Sequence, residues 1–488
     1  MKLKDLLKDI PVLECTANPE LEIENVYYDS RKVQPGSLFV AVSGFASDGN
    51  RFIPMAMDKG AVAVVTAKKP EVDVPYVLVE SDRLALALLG CNFYGHPAKS
   101  MTMIGVTGTN GKTSTTLLLK QVLEKNLGAK VGLIGTMANM VGEEVIPTER
   151  TTPESFDLQA LFGRMRDAGC THVVMEVSSH AVTLDRIGGT HFDIAAFTNL
   201  TEDHLDFHKT MDAYCDAKAE LFRRCDKAVI NADDSYADRI LAAAACPVIT
   251  TSVAGNGDLA AMNPELLAEG IHFTASCGEE SVAVELPIPG KFTVYNALTV
   301  LGIAKQLGIS LADCAEALKT VEGVKGRIEV VPTPGMPYSV LIDYAHTPDG
   351  LENVLSSVKD FCKGRLISVF GCGGDRDPIK RPIMGEIGVK LSDIAIITSD
   401  NPRTEDPMAI IEDILKGVKK EYGEYFVIED RRAAIRYAMD IAEKDDIIVL
   451  AGKGHETYQI IGTQKYHLDE REEVAAHLLE MRSSAWEK

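Results

Sequence analysis

Basic residues are in short supply. Lysine and arginine number 50 against 71 aspartates and glutamates, a formal net charge of −21. Nucleic acid and anionic membrane surfaces are themselves negative, so this balance argues against a general binder of either, while leaving room for a locally basic pocket. Long hydrophobic runs are also missing. No apolar stretch reaches the roughly 20 residues that a membrane span needs. The opening MKLKDLLKDIPVLE carries acidic residues within its apolar stretch and lacks a small-residue cleavage site, which excludes a secretory signal. It reads as a short amphipathic helix. The ten cysteines (15, 91, 170, 215, 225, 246, 277, 314, 362 and 372) form no CxxC pair, so zinc-ribbon and thioredoxin-like readings are weak. Scattered thiols without an export signal are expected to be buried in a reducing cytoplasm, Cys372 included despite its Gly-rich loop. Internal repeats and low-complexity tracts are absent.

What is present is an ordinary globular composition, 46% hydrophobic and 25% charged, over 488 residues. That length suggests about three domains. Up to Pro97 short strands (ENVYYDS, SLFVAV, AVAVVTA, PYVLVE) surround one helix-like stretch, RFIPMAMDKGA, which predicts a small mixed α/β domain over 1–97. From Ala98 to 325, apolar β-branched runs alternate with amphipathic helices. The strands are MTMIGV, KVGLIGT, THVVMEV, DIAAFTN, KAVINAD and PVITTS. This alternation predicts a parallel sheet covered on both faces. The region closes on an amphipathic pair, FTVYNALTVLGIAKQLG and SLADCAEALKTV. A third block, 326–488, repeats the alternation with SVLIDYA, RLISVFG, DIAIITS, YFVIED and DIIVLAG, and predicts a second doubly wound, Rossmann-like domain. Its loop GCGGDRD lacks the third glycine of a dinucleotide fingerprint, so a nicotinamide cofactor is rejected.

The chemistry starts at IGVTGTNGKTST, residues 104–115. The strict phosphate-loop pattern asks for glycine where Val106 stands. The physics survives that substitution. Gly108 and Gly111 let backbone N–H groups turn toward an anion, and a helix N-terminus follows. Lys112 can reach β- and γ-phosphates, and the Thr113 hydroxyl suits a magnesium position. The alternative is a glycine-rich turn with an incidental lysine. Strand, loop and helix in this order favour the nucleotide.

Downstream, Glu176 ends the strand of MEVSSH, where α/β enzymes place their chemistry. His204 lies in TNLTEDHLDFH among carboxylates and offers a ligand to a divalent ion. Taken singly, each is more often a solvated carboxylate or a structural histidine; their joint position after two parallel strands shifts that balance. In AYCDAKAELF, Lys218 adjoins an apolar face made by Tyr214, Ala217, Leu221 and Phe222. From this pattern alone the favoured reading is a lysine with its stem on the core and its ammonium in water.

In order along the chain, VTGTNGKTS, MEVSSH, TNLTEDHLD and YCDAKAELF resemble the central domain of the Mur ligases, ATP-dependent amide-forming enzymes of bacterial cell-wall synthesis. The resemblance covers nearly the whole chain. It implies an α/β fold of three domains: a UDP-binding N-terminal domain, a central phosphate-loop ATPase domain and a Rossmann-like C-terminal domain. It implies ATP binding by Gly108, Thr109, Asn110, Gly111, Lys112, Thr113 and Ser114. PGKFTVYNAL resembles the adenine-contacting segment, with Asn296 as the base contact. GRIE and DYAH resemble C-terminal ATP contacts, giving Arg327, Asp343 and His346. The segment beginning DSRKVQPGSLFVAVSGF, with TTPES, resembles the UDP-binding part of the tripeptide-forming members. There Ser30, Thr151, Thr152, Ser178 and Arg186 are expected to hold a UDP-muramoyl-dipeptide, and Phe-Ala-Ser at 45–47 a loop near its uracil.

SDNPRTEDP resembles the amino-acid-recognition motif of the members that add meso-diaminopimelate. This assigns Asp400, Asn401, Pro402 and Arg403, with Arg376 from GGDRD and Gly452 and Glu456 from AGKGHE. A guanidinium fork pairs with the extra carboxylate of that amino acid. Without the family, DNPR is only a turn. The resemblance further implies two Mg²⁺ ions, with Thr113, Glu176, His204 and Lys218 as ligands and Lys112, Glu176, His204 and Lys218 in catalysis. It also implies that Lys218 is carbamylated, turning a cation into a carboxylate-like ligand. The expected enzyme is a cytoplasmic monomer of peptidoglycan precursor synthesis. It would have small-molecule substrates and no nucleic-acid partner. The rivals are a ligase adding L-lysine or acting on folate, a non-catalytic ATP-binding regulator, and a phosphate-loop motor or switch.

Overall fold

The computed structural model describes residues 1–44, 48–148, 150–419 and 421–486, with backbone only for Asp206 and 483–486. The expected uracil loop at 45–47 lies outside the described residues. The chain divides into two compact units, Met1–Ala260 with Leu298–Cys314, and Ala261–Ala297 with Ala315–Lys488.

The first unit holds two sheets. In the N-terminal one, strands run in the order Val12–Cys15, Tyr76–Val79, Ala61–Thr66, Ser37–Ala41, Val26–Tyr27. The opening amphipathic segment shrinks to a one-turn helix, Leu3–Leu6, that buries both its leucines. The pattern missed the helix Asp82–Phe93, whose apolar residues occur on nearly every face. One face of this helix meets the sheet. The other meets Ser155–Asp167, where Phe156 packs tilted against Phe93 and Tyr94 at 5.7 and 5.3 Å between ring centroids. The residue 97/98 boundary therefore falls inside one packed unit.

The larger sheet runs Val248–Ser252, Cys225–Asn231, Phe192–Phe197, Thr102–Thr107, His172–Glu176, Val131–Ile134, all parallel as the unbroken apolar runs predict. A short antiparallel hairpin, Asn139–Val141 with Glu144–Ile146, extends one edge. Thr102–Thr107 is central, so its carboxyl end is flanked by those of Phe192–Phe197 and His172–Glu176. That topology brings the phosphate loop, Glu176 and the 198–201 segment to one place.

In the second unit a six-stranded sheet has the order Glu329–Val331, Ser339–Asp343, Ile447–Ala451, Leu366–Phe370, Ile394–Ile397, Glu424–Val427. It is parallel except for its first strand. Alternate residues serve opposite faces: Leu341, Val449 and Ala451 join one core, and Val340, Ile342, Ile448 and Leu450 the other. The period of two is invisible in the sequence because both faces are apolar. Two further antiparallel hairpins, Gly270–Cys277 with Glu280–Leu286 and Tyr458–Ile461 with Gln464–His467, escaped the pattern; in each the second strand is largely exposed, while Gly270–Cys277 buries Ile271, Phe273 and Ala275.

All ten cysteines are free. Six are buried, including Cys372, whose thiol is pushed up to about 12 by burial. The expectation of universal burial fails at Cys15, which lies on an exposed edge strand, and at the half-exposed Cys246, Cys277 and Cys362. No helix among the described residues is long and apolar enough to cross a membrane.

Phe156 links the two sheets of the first unit. Phe156→Ala is expected to cost about 3–5 kcal/mol. In urea unfolding it should lower the midpoint of the transition reporting on Met1–Ala260; an unchanged midpoint would mean the ring does not hold the sheets together.

Candidate active site

The strand Thr102–Thr107 ends at Gly108, whose φ is +151°. A Cβ at this position would stand 1.9 Å from Thr198 Oγ1, so only glycine fits. Asn110 and left-handed Gly111 complete the turn, and Lys112 opens the helix Lys112–Leu127. No side chain caps that helix, which leaves its first N–H groups for an anion. The segment after Phe192–Phe197 clamps the loop from beside it. Thr109 N–H donates to Asn199 O at 2.8 Å, Asn110 N–H to Asn199 Oδ1 at 2.9 Å, and Thr198 Oγ1 to Asn110 O at 2.6 Å. TNLT, expected only as the start of a metal motif, therefore also shapes the phosphate loop.

Lys112 Nζ donates to the carbonyls of Gly108 and Thr109, both at 2.8 Å. Lys218 Nζ donates to the same Gly108 oxygen at 2.9 Å. Lys218 is 1% exposed, so the snorkelling reading is corrected: the helix Met211–Ala219 turns this side chain inward, over the Tyr214 ring at 4.5 Å. Burial depresses the Lys218 pKa far below the ordinary 10.5, and the neighbouring Lys112 ammonium depresses it further. Burial also lowers Lys112, against the opposing pull of Glu176 and Asp203.

Glu176 is 1% exposed. One carboxylate oxygen accepts from Thr113 Oγ1 at 2.9 Å and Thr136 N–H at 2.9 Å; the other accepts from Thr136 Oγ1 at 3.0 Å. Thr136, absent from the sequence reading, thus fixes Glu176 beside the head of the phosphate-loop helix. Thr136 also bonds Thr151 Oγ1 at 3.0 Å. Thr152 Oγ1 donates to the Glu176 carbonyl at 2.8 Å, and Arg186 Nη1 to Thr152 O at 3.1 Å. Ser178 caps the short helix Ser179–Thr183 and approaches Thr152 Oγ1 at 3.5 Å. Ser30 is buried in the N-terminal sheet region, 3.5 Å from Met55 Sδ. His204, with φ +53°, packs edge-on against His180 at 4.8 Å and Tyr214 at 6.1 Å, and its ring nitrogen lies 3.4 Å from Asp203. Among the described residues no three His, Cys, Asp or Glu side chains converge tightly enough to hold a metal. The expected ligand set is complete only if Lys218 becomes an acid. Thr113 and Glu176 are hard oxygen donors already in contact, which fits Mg²⁺.

Glu154 faces three guanidiniums: Arg186 at 3.4 Å, Arg150 at 3.6 Å and Arg83 at 3.9 Å. Arg83 comes from the helix Asp82–Phe93 and was not anticipated. Arg83 Nη1 and Arg186 Nε are buried without a hydrogen-bond partner. The cluster carries an excess of two positive charges, next to the threonines expected to hold an anionic substrate.

In the second unit, the ends of Leu366–Phe370, Ile394–Ile397 and Ile447–Ala451 build another cluster. The turn after Ile394–Ile397 presents Asp400, Asn401 and Pro402, all buried, and Arg403, with φ +52°. Arg403 Nη1 donates to Gly374 O at 2.8 Å, and its N–H pairs with Ile460 O at 3.0 Å. Asn401 Nδ2 donates to Glu456 Oε2 at 3.0 Å. Gly452, φ +116°, lies against Asp400, where a Cβ would meet Oδ2 at 3.0 Å. Burial alone would raise the Asp400 pKa, but Lys453 and Arg431 outweigh it and hold the carboxyl below its ordinary range. Arg376 is exposed, and among the described residues its hydrogen bond goes to the carbonyl of its neighbour Asp375 at 3.0 Å. Asp343 accepts from Ile328 and Ala345 N–H at 2.8 and 2.9 Å, while Arg327 stacks 5.6 Å from the Tyr344 ring and His346 Nδ1 lies 2.8 Å from Tyr344 O. Asn296 is buried on the helix Lys291–Gln306. Ser114 lies on the first turn of Lys112–Leu127.

Three family models match the chain: "Mur ligase family, catalytic domain" over 22–97, "Mur ligase middle domain" over 106–304 and "Mur ligase, glutamate ligase domain" over 326–454. The UDP-N-acetylmuramoyl-L-alanyl-D-glutamate–2,6-diaminopimelate ligase of Clostridium botulinum is 49% identical over 481 residues, 97% of this chain and 99% of that protein. The chain belongs to the Mur ligase family. The ligase of the same name from Caldanaerobacter subterraneus is 49% identical over 485 residues, 98% of this chain and 99% of its own length. A solved structure of a UDP-N-acetylmuramoyl-L-alanyl-D-glutamate–2,6-diaminopimelate ligase superposes with a TM-score of 0.79 at 31% identity, covering 99% of each chain. This Mur ligase is thus an enzyme of the ATP-dependent amino-acid ligase class, with the α/β architecture expected of it.

Lys218→Met should abolish ligation by the Mur ligase yet leave the ligand-free protein as stable as before, or more so, at neutral pH. The lysine pKa is ordinary, 10.5, in the unfolded chain and depressed in the folded one. Between the two values the unfolded chain holds the extra proton, so the unmodified wild type gains stability as pH rises. The stability gap between variant and wild type should therefore shrink toward pH 10.5 in thermal melts taken without bicarbonate. A gap that widens with pH would contradict this.

Proposed function

We propose that this Mur ligase joins meso-diaminopimelate to the γ-carboxylate of D-glutamate in UDP-N-acetylmuramoyl-L-alanyl-D-glutamate, at the expense of ATP. The observation that carries the reading is the grouping of Arg403, Asp400, Asn401 and Glu456 at the strand ends of the second unit. The distal centre of diaminopimelate bears one carboxylate and one ammonium. A guanidinium fork suits the first and carboxylates suit the second. L-Lysine lacks that carboxylate and would leave Arg403 without a substrate partner, which disfavours the lysine-adding alternative. A motor or switch has no use for such a group.

Residues 1–97 would bind the UDP-sugar, 98–325 the ATP, and 326–488 the amino acid. Ser30, Thr151, Thr152, Ser178 and Arg186 would hold the UDP-muramoyl-dipeptide, with the arginine cluster around Glu154 balancing its negative charge. Gly108 to Ser114, Asn296, Arg327, Asp343 and His346 would hold ATP. A glutamate carboxylate is a poor acylating group because its oxygen leaves badly. Its attack on the γ-phosphorus breaks the bond to the bridging oxygen, releases ADP and leaves an acyl phosphate. The incoming amine then attacks the acyl carbon, the carbon–oxygen bond to phosphate breaks, and phosphate departs with the amine's proton. Lys112 and the uncapped helix start stabilise charge on the transferring phosphoryl group. Mg²⁺ bound by Thr113 and Glu176, with a second ion near His204 and a carbamylated Lys218, would neutralise further phosphate charge. Two ammoniums on the single Gly108 carbonyl support this modification, since carbamylation removes one of the two cations. A cytoplasmic monomer remains the expected form.

Phosphate release from ATP, with the UDP-muramoyl-dipeptide and either meso-diaminopimelate, L-lysine or no amino acid, tests the reading directly. Release only with diaminopimelate is expected; release with lysine alone would sink it. Arg403→Ala should lower kcat/KM for diaminopimelate about a hundredfold, the loss of two charge-assisted hydrogen bonds. An Arg403→Ala enzyme with unchanged kcat/KM would remove the guanidinium from substrate recognition.

A further inference from the structure

Lys453, between Gly452 and Gly454 in AGKGHE, has no part in the mechanism above. Its side chain is 0% exposed. Nζ lies 2.7 Å from Asn401 Oδ1 and 3.0 Å from Tyr458 O, both as hydrogen bonds. It also lies 3.0 Å from Asp400 Oδ1 and 3.6 Å from Glu456 Oε2 as ion pairs. The contact with Asp400 is off the hydrogen-bond direction, because that oxygen has no hydrogen-bond partner. An ammonium has three N–H donors. Two are committed to Asn401 and Tyr458, and the third is left between two carboxylates.

The consequence is orientational. Asn401 Oδ1 accepts from both Lys453 Nζ and Ile460 N–H, the latter at 2.8 Å. With two donors on its oxygen the amide cannot flip without opposing N–H to N–H. Its Nδ2 is therefore fixed on Glu456 Oε2. Lys453 also joins the turn after Ile394–Ile397 to the segment after Ile447–Ala451, the two stretches that carry the amino-acid site. A buried cation beside carboxylates costs desolvation energy that an apolar residue would avoid, so stability alone is a weak reason for it.

We infer that Lys453 is a positioning residue that sets specificity: through Asn401 and Glu456 it aims the carboxylate that reads the distal ammonium of the incoming amino acid. The inference rests on the diaminopimelate reading above. It also separates two halves of recognition. Arg403 reads the distal carboxylate without help from Lys453, whereas Glu456 reads the ammonium only when held by it.

The test compares kcat/KM of the full-length enzyme for three acceptors, by phosphate release. These are meso-diaminopimelate, L-lysine, which lacks the distal carboxylate, and 2-aminopimelate, which lacks the distal ammonium. In Lys453→Met the wild-type preference for diaminopimelate over 2-aminopimelate should fall about tenfold, the value of one charge-assisted hydrogen bond. The preference over lysine should persist, the effect should lie in KM for the amino acid, and KM for ATP should not move. If Lys453→Met does not fold, Lys453→Gln, which keeps a donor but not the charge, should give the same selective loss. Equal loss of both preferences would reduce Lys453 to a structural residue and overturn the inference alone. A wild type that shows no preference for diaminopimelate would overturn the parent reading, and the inference with it.

Discussion

At Gly108 the chain leaves a buried strand and turns where no side chain can follow, because Thr198 Oγ1 occupies the space. The rest of the first unit is arranged around that turn. Thr198, Asn199 and Thr201 hold it from one neighbouring strand end, and Glu176 comes from the other. The helix that follows starts without a side-chain cap, so its dipole and free N–H groups remain available. The Gly108 carbonyl, pointing back, collects Lys112 and Lys218. A single backbone conformation thereby decides where these two lysines stand. It can do so only because the parallel order places strand Thr102–Thr107 between its two partners.

The two units treat buried cations differently, and the difference follows their chemistry. Lys112 and Lys218 donate their hydrogen bonds to carbonyl oxygens, and burial lowers the pKa of both. Lys453 and Arg431 meet carboxylates, Asp400 with Glu456 and Glu470 respectively. These cations hold the Asp400 carboxyl below its ordinary range, whereas burial raises that of Glu470.

Much of the site was legible because its residues come in short runs. VTGTNGKTS, MEVSSH and SDNPR each place several groups on one strand end, and a strand end in a parallel sheet is where ligands bind. Residues acting from elsewhere left no local signal. Thr136 fixes Glu176 across 40 residues, and Arg83 reaches Glu154 from a helix that the apolar pattern did not reveal. Lys453 carries no local signal, since burial is not written in its neighbours. The hairpins were missed because each has one largely exposed strand, Glu280–Leu286 and Gln464–His467, with no continuous apolar run to mark it.

By itself the sequence determined the alternation of buried strands and helices, the phosphate loop and the acidic composition. Those properties follow from local period and residue type, which need no knowledge of distant partners. Only the tertiary structure decided that Lys218 turns inward rather than to water, that the N-terminal and central sheets pack as one unit through Phe156, and that Lys453 joins two loops of the second unit. Each depends on what meets a side chain across tens to more than a hundred residues. Burial and hydrogen-bond geometry are properties of that meeting, not of the residue.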